Sequence, residues 1–110
     1  MKPIIPEPEE VWVERKERVM GFRVQLHSTT SIDEAQQALS TYRSRLDSLE
    51  IDAGRIDMVF DAPYYKIRAG DFMVKGEADM LTDTLRAEGI PEAWVVRDNI
   101  FRMIRERQQD

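Results

Sequence analysis

The chain has 110 residues, a formal net charge of −5 and no cysteine. The length is that of one small domain, and the lack of cysteine excludes disulfides, thiolate metal ligands and cysteine nucleophiles. The acidic balance argues against tight nucleic-acid binding, because that binding depends on basic side chains that neutralise phosphates. No apolar run approaches the roughly 18 residues that span a bilayer, so we expect no membrane insertion.

Residues 1–20 are predicted to form a linker or extension ahead of the domain. Three prolines stand among acidic residues in the first ten positions, and proline lacks the N–H that helices and sheets use. Residues 11–20 leave two interpretations open, a short extra strand or helix and plain coil, because valines flank a fully charged centre. No signal peptide is visible at the N-terminus, so an exported parent protein is expected to contain this chain as a mature or excised fragment.

Residues 21–27 carry the clearest local pattern, a strict alternation of apolar and polar side chains that predicts a half-buried strand. The side chains expected to face the core are Phe22, Val24 and Leu26, and those expected to face away are Arg23, Gln25 and His27. Ser31 and Glu34 then match the capping box that begins many helices.

Helical and strand patterns continue to the end of the chain. Apolar residues at helical spacing predict helices, Gly89 is placed to end the second helix, and Asp98 is placed to cap a third. The predicted elements are a helix over 32–49, strands over 56–60 and 64–69, a helix over 75–88, a strand over 93–96, and a short helix or tail over 98–110.

The two halves of the chain echo each other at an offset of 43 residues, which aligns Phe22 with Tyr65 and Val24 with Ile67. Two β-α-β halves predict an α+β domain over residues 21–97 with the β-α-β-β-α-β order of ferredoxin-like and RNP-like folds. We expect a four-stranded antiparallel sheet with both helices on one face. The other face of the sheet would then carry no helix.

This helix-free face is the candidate binding surface. It is expected to display Arg23, Gln25, Tyr64, Lys66 and Arg68. Trp94 joins them if the small Ala93 packs under a helix, which we favour, and a slip of one residue would reverse that. Aromatic rings stack on sugar faces while amide and guanidinium groups bond sugar edges. The alternative is that Tyr64 and Trp94 only cover the sheet, beneath the N-terminal segment or a dimer partner.

Catalytic constellations are scarce. His27 is the single histidine, and its neighbour Ser28 should point to the opposite side of the strand, so a Ser-His-acid triad is not predicted. Asp57 and Asp61 share one side of a strand and leave paired carboxylates for glycoside cleavage as a minor alternative. We expect no enzyme activity, no metal site and no cofactor.

Several segments together resemble the SPOR domain, the sporulation-related repeat that binds peptidoglycan. Residues 21–28, Gly-Phe-Arg-Val-Gln-Leu-His-Ser, resemble its first strand, aromatic-x-V-Q-x-x-S. Residues 62–72 resemble its second half-motif, aromatic-x-V-x-x-G-x-F, and Glu77-Ala78 with residues 93–96 complete the match. The resemblance covers residues 21–97.

The resemblance implies a non-catalytic module that binds peptidoglycan glycan strands, preferably those without stem peptides, in cell division and in the periplasm or cell envelope. By position, Gln25 and Ser28 match the family's binding Gln and Ser. Tyr64 stands where the family often has Trp, and Trp94 matches an exposed contributor on the last strand. Sheet geometry adds Arg23, Lys66 and Arg68. The remaining alternatives are an RNA-binding module of the same topology and a sheet-face interaction domain or homodimer.

Overall fold

The computed structural model describes residues 11–107. Its elements follow the predicted order and are β1 (Trp12–Thr29), α1 (Ile32–Ser48), β2 (Ile56–Asp61), β3 (Tyr64–Phe72), α2 (Lys75–Ala87) and β4 (Trp94–Arg107). The strands form one antiparallel sheet in the order β2-β3-β1-β4. The predicted ferredoxin-like α+β fold is confirmed. The linker predicted for residues 1–10 and the tail over 108–110 lie outside the described residues.

Both helices pack on one side of the sheet, where they enclose the apolar core. The alternation predicted for the first strand is confirmed there, since Val24 and Leu26 are fully buried. The core residues with no or almost no exposure are Val24, Leu26, Ala35, Leu46, Ile67, Ala69, Ala78, Leu85, Ile90 and Ala93. Burying this apolar surface is the main force that holds the helices on the sheet.

The helix ends follow the local signals. The Ser31 hydroxyl accepts a hydrogen bond from the Glu34 N–H at 3.2 Å, which confirms Ser31 as the N-cap of α1. The Glu34 carboxylate does not complete the capping box, because it accepts from the Thr29 hydroxyl at 2.8 Å instead. Gly89 follows the end of α2 with φ of +88°, a conformation that glycine adopts without strain.

A β-bulge in β1 changes the side to which two residues point. Gln25 pairs with Arg68 and His27 with the next residue, Ile67, so two residues of β1 advance against one of β3. His27 therefore lies on the helix side, with Nε2 3.3 Å from a carboxylate oxygen of Glu34. The prediction that His27 faces away from the core is wrong because strict alternation stops at the bulge.

The largest departure from prediction is a long two-stranded extension. Each residue from Trp12 to Met20 pairs with one from Asn99 to Arg107. We call these paired segments, residues 12–20 and 99–107, the ribbon. The strand alternative for residues 11–20 is therefore correct, while the helix predicted after Asp98 is wrong across the described part of the chain. Each segment finds its strand partner in the other, and a local pattern does not reveal such a distant partner.

The ribbon makes the molecule elongated. The radius of gyration is 19.4 Å and the longest dimension is 70 Å, whereas a compact domain of this length has a radius of gyration of about 13 Å. Between residues 11 and 107, neither helix combines the length and apolar composition that crossing a bilayer takes.

Candidate functional site

The sheet surface opposite the helices, which we call the open face, carries six of the seven predicted site residues, and the seventh, Arg23, is buried. Residues paired directly across neighbouring strands point to the same side. Gln25 pairs with Arg68 on one flank and with Trp94 on the other, which places these three side chains in one row. Ser28 pairs with Lys66, and that pair forms the next row.

Trp94 is the most exposed aromatic residue of the open face. Its side chain is 52% exposed, while Ala93 is fully buried in the core. The register that we favoured for the last strand is therefore confirmed. Tyr64, 46% exposed, lies at the start of β3, next to the turn from β2, and pairs with Asp61. The open face thus carries two exposed aromatic platforms, on β4 and β3.

Between the platforms lies a row of polar side chains that hold one another. The Arg68 guanidinium donates to Gln25 Oε1 at 3.2 Å and to Asp98 Oδ2 at 3.0 Å. Gln25 is only 7% exposed, because strands and side chains border it on both flanks. Among residues 11–107, its amide nitrogen has no hydrogen-bond acceptor, so it can donate to a ligand.

Lys66 and Ser28 form the polar part of the open face nearest to Tyr64. Lys66 Nζ donates to Asp61 Oδ2 at 2.8 Å, and this hydrogen bond lowers the pKa of the Asp61 carboxyl. Ser28 is exposed beside it. Strict alternation would have placed Ser28 under the helices, so the β1 bulge is what brings its hydroxyl to the open face.

Arg23 was predicted to be displayed, and that prediction is wrong. The side chain is 1% exposed, and its guanidinium donates to the carbonyls of Gly70 (2.7 Å), Arg55 (3.0 Å) and Arg68 (3.0 Å) and to the Asp57 carboxylate (2.5 Å). A second irregularity in the β1–β3 pairing, between Phe72 and Ala69, lies beside this cluster of carbonyls. Arg23 therefore ties three strands together and is not available to a ligand.

The base of the ribbon closes the end of the open face near Arg23. The Arg55 guanidinium donates two hydrogen bonds to the Asp71 carboxylate, at 3.0 and 2.7 Å, and another to the Asp57 carboxylate. Asp71 in turn accepts from the backbone N–H of Phe101 at 3.2 Å, and the Arg55 guanidinium lies 5.0 Å from the centre of the Phe101 ring. This cluster fastens β4 to the start of β2 and the end of β3.

The Asp71 carboxyl in this cluster has a shifted pKa. Burial works to raise the pKa of Asp71, but the Arg55 guanidinium and the Phe101 N–H outweigh burial, and the pKa lies below its ordinary value. A glycosidase acid needs a raised pKa, whereas the pKa of Asp61 is also lowered. Asp57 forms ion pairs with Arg23 and Arg55, and Asp61 forms one with Lys66.

The acidic partners that hold the basic side chains of the open face were not predicted from the sequence. Asp98 was interpreted as a helix cap, yet it anchors Arg68, and Asp57 anchors Arg23. Alternation along β2 predicts that Asp57 and Asp61 share one side of the strand. Which cation Asp57 contacts depends on the order of the strands in the sheet. No cluster of three metal-ligating side chains occurs within residues 11–107, and the open face offers donors, cations and rings for binding.

One comparison with known proteins finds a match. The family model of the SPOR domain matches residues 20–97, which is most of the chain and includes the whole open face. A search of curated proteins and a search of solved structures found no match.

Proposed function

This chain belongs to the SPOR domain family, whose domains are peptidoglycan-binding modules of bacterial cell-division and envelope proteins, and we propose that its open face binds glycan strands that lack stem peptides. The observation that carries the proposal is the row of Trp94, Gln25 and Arg68 on the helix-free side of the sheet. This row sets an exposed indole ring beside an amide and a guanidinium. We further propose that the chain acts in the periplasm or cell envelope and has no catalytic role.

The chemistry of this row suits a sugar. The apolar C–H face of a sugar ring stacks on indole, as apolar groups stack on aromatic surfaces generally. The free amide nitrogen of Gln25 and the hydroxyl of Ser28 are suited to bond acetamido and hydroxyl groups at the sugar edge. Because these groups lie on strands of a packed sheet, they are ordered before the ligand arrives, which lowers the entropy cost of binding.

The cations of the open face support the preference for stem-peptide-free strands. Removing a stem peptide hydrolyses an amide and leaves a free carboxylate on the sugar. Arg68 and Lys66 each bond one carboxylate already, but an ammonium and a guanidinium carry further N–H donors. We infer that these remaining donors bond the carboxylate that peptide removal exposes, while an intact stem peptide presents only a neutral amide there.

The two aromatic platforms suggest that a bound strand runs diagonally across the sheet. Trp94 on β4 and Tyr64 on β3 are two strands and four residues apart, which corresponds to about 16 Å for usual strand spacing and rise. Residues between them supply the polar contacts. We propose that Tyr64 contacts a sugar distant from the one on Trp94, and that Arg23 ties the strands together at the ribbon end of the open face without touching the ligand.

Co-sedimentation with purified peptidoglycan sacculi tests the proposal. We expect the chain to pellet with amidase-treated sacculi and much less with untreated ones. The double variant Gln25→Ala/Trp94→Ala should lose most of this pelleting while keeping its circular dichroism spectrum. Equal pelleting with both preparations would contradict the stem-peptide preference, and undiminished pelleting of the double variant would contradict the site.

The same exposed rings also suit the alternative of a face-to-face homodimer. In that case light scattering would show a dimer that Trp94→Ala dissociates, and sacculi would not compete with dimer formation. Single-stranded RNA added to the same assay separates the RNA-binding alternative, because a true glycan module is not displaced by it.

A further inference from the structure

One edge of the ribbon lacks a neighbouring strand. β1 pairs with β3 only from Phe22 onward, so from Trp12 to Met20 the side of β1 away from β4 has no strand beside it among the described residues. Such an edge presents rows of N–H and C=O groups that readily pair with another chain. A two-stranded ribbon is marginally stable in water, so an added strand would stabilise it.

The two edges of the ribbon differ in how they are held. β4 is fastened to β3 at Phe101, whose N–H donates to the Asp71 carboxylate. Within residues 11–107, no hydrogen bond joins the backbone of residues 12–20 to anything except β4. The β1 edge is therefore the one that remains accessible.

Residues 12–20, Trp-Val-Glu-Arg-Lys-Glu-Arg-Val-Met, are complementary to themselves in an antiparallel arrangement. With Lys16 opposite the Lys16 of a second copy, each apolar residue meets an apolar one and each acid meets a base. The pairs are Trp12 with Met20, Val13 with Val19, Glu14 with Arg18, and Arg15 with Glu17, each occurring twice. Cross-strand pairs of these kinds stabilise a sheet.

The charges also exclude neighbouring registers. Slipping one strand by one residue in one direction places Glu14 opposite Glu17 and Arg15 opposite Lys16. Slipping it in the other direction places Arg15 opposite Arg18. Like charges directly opposite each other destabilise a sheet, so only the register centred on Lys16 satisfies every pair around the centre.

The ion pairs already present in the ribbon extend this pattern. Arg15 contacts Glu106 at 2.7 Å and Glu17 contacts Arg102 at 3.0 Å. Arg15 and Glu17 point to the same side of β1, because they are two residues apart. A second copy would set its Glu17 beside Arg15, so that the sign of the charge alternates across all four strands.

We propose that this chain forms a symmetric dimer through antiparallel pairing of residues 12–20 of two copies. The product is a four-stranded sheet in the order β4-β1-β1-β4 with a two-fold axis at Lys16, an arrangement in which both copies use the same surface. The proposal does not depend on glycan binding, since the ribbon edge and the open face are separate surfaces. The facing Lys16 side chains repel each other, and this repulsion makes the dimer weak and reversible.

Charge reversal tests the pairing without depending on the folding of any one variant. Arg18→Glu sets a second carboxylate opposite Glu14, and Glu14→Arg sets a second guanidinium opposite Arg18. By sedimentation velocity, each variant alone should dimerise about tenfold or more weakly than the native chain, since two cross-strand pairs turn repulsive. In a mixture, the two variants can form a heterodimer. At positions 14 and 18 of this heterodimer, each carboxylate of one copy faces a guanidinium of the other, and we expect the heterodimer to form. Lys75→Glu, which makes a like charge change on α2, should dimerise like the native chain.

Replacing the central lysine provides an independent measurement. Lys16→Thr removes the repulsion at the axis and should tighten the dimer by about threefold or more. The proposal is overturned if the native chain stays monomeric at several hundred micromolar, if either charge reversal dimerises normally, or if the mixture does not associate. It is also overturned if Trp94→Ala dissociates the dimer while Arg18→Glu does not, because the open face would then be the interface.

Discussion

The body of the sheet and the ribbon contain the same two strands, β1 and β4, in very different surroundings. In the body, helices cover one side, so Val24 and Leu26 of β1 are fully buried. Most of the ribbon is exposed, and Trp12, Val13 and Met103 are 45%, 40% and 58% exposed, while Ile100 at its base is fully buried. The hydrogen-bond ladder is continuous through both regions. The ladder therefore sets the length of the strands, while burial sets how firmly each part is held.

The cluster around Arg23 lies at the boundary between the two regions. Removing the Arg23 side chain should lower the free energy of unfolding more than any other change proposed here. Arg23→Ala leaves Asp57 and three carbonyls without their buried donor, which should cost about 3–5 kcal/mol of unfolding free energy. Urea unfolding measures this loss. Arg15→Ala removes an exposed arginine of the same strand and should change the free energy of unfolding far less. Equal losses for the two variants would contradict the distinction between body and ribbon.

Hydrogen exchange should separate the two regions directly. At concentrations where the chain is monomeric, amides of residues 12–20 should be protected about 100-fold less than those of residues 22–26, because few buried contacts oppose opening of the ribbon. Mass spectrometry of peptides from each region gives the comparison. If the protection of residues 12–20 rises with protein concentration, dimer formation at that edge is supported. Equal protection of the two regions at low concentration would contradict the expected difference in their stability.

The two tryptophans provide a matched pair for function. Trp94 on the open face and Trp12 on the ribbon are similarly exposed, at 52% and 45%. Trp94→Ala should weaken binding to amidase-treated glycan by about 1–3 kcal/mol, the usual effect of losing a central aromatic contact. Trp12→Ala should leave that affinity unchanged. Titration with soluble glycan fragments measures both constants, and equal effects would remove the open face as the binding site.

The acidic fastening between the regions should respond to pH. The pKa of Asp71 is depressed in the folded chain, so its carboxylate stabilises the fold above its ordinary value of 3.8 and this contribution disappears as the pH falls through the lower folded value. Asp71→Asn should therefore cost about 1 kcal/mol at neutral pH. The difference between native and variant should shrink below pH 3.8. A difference that stays constant well below pH 3.8 would show that the Asp71 charge does not fasten the ribbon.

Signals that act within a few residues predicted much of the domain. Ser31 caps α1, Gly89 ends α2, and the small Ala93 packs inward so that Trp94 points outward, each as the local pattern indicates. These predictions succeed because capping, backbone conformation and side-chain alternation depend on neighbours along the chain. The placement of the aromatic part of the open face followed from them.

Patterns along the chain were thus enough to predict the β-α-β-β-α-β order, the helix-free side of the sheet and the family of the chain. Contacts that form only in the folded chain bury Arg23, turn His27 inward and Ser28 outward at a bulge, and make residues 99–107 a strand rather than a helix. Each of these outcomes depends on a partner from a distant part of the chain. The carbonyls around Arg23 and the strand opposite residue 100 exist as partners only after the sheet has assembled, so no local pattern records them.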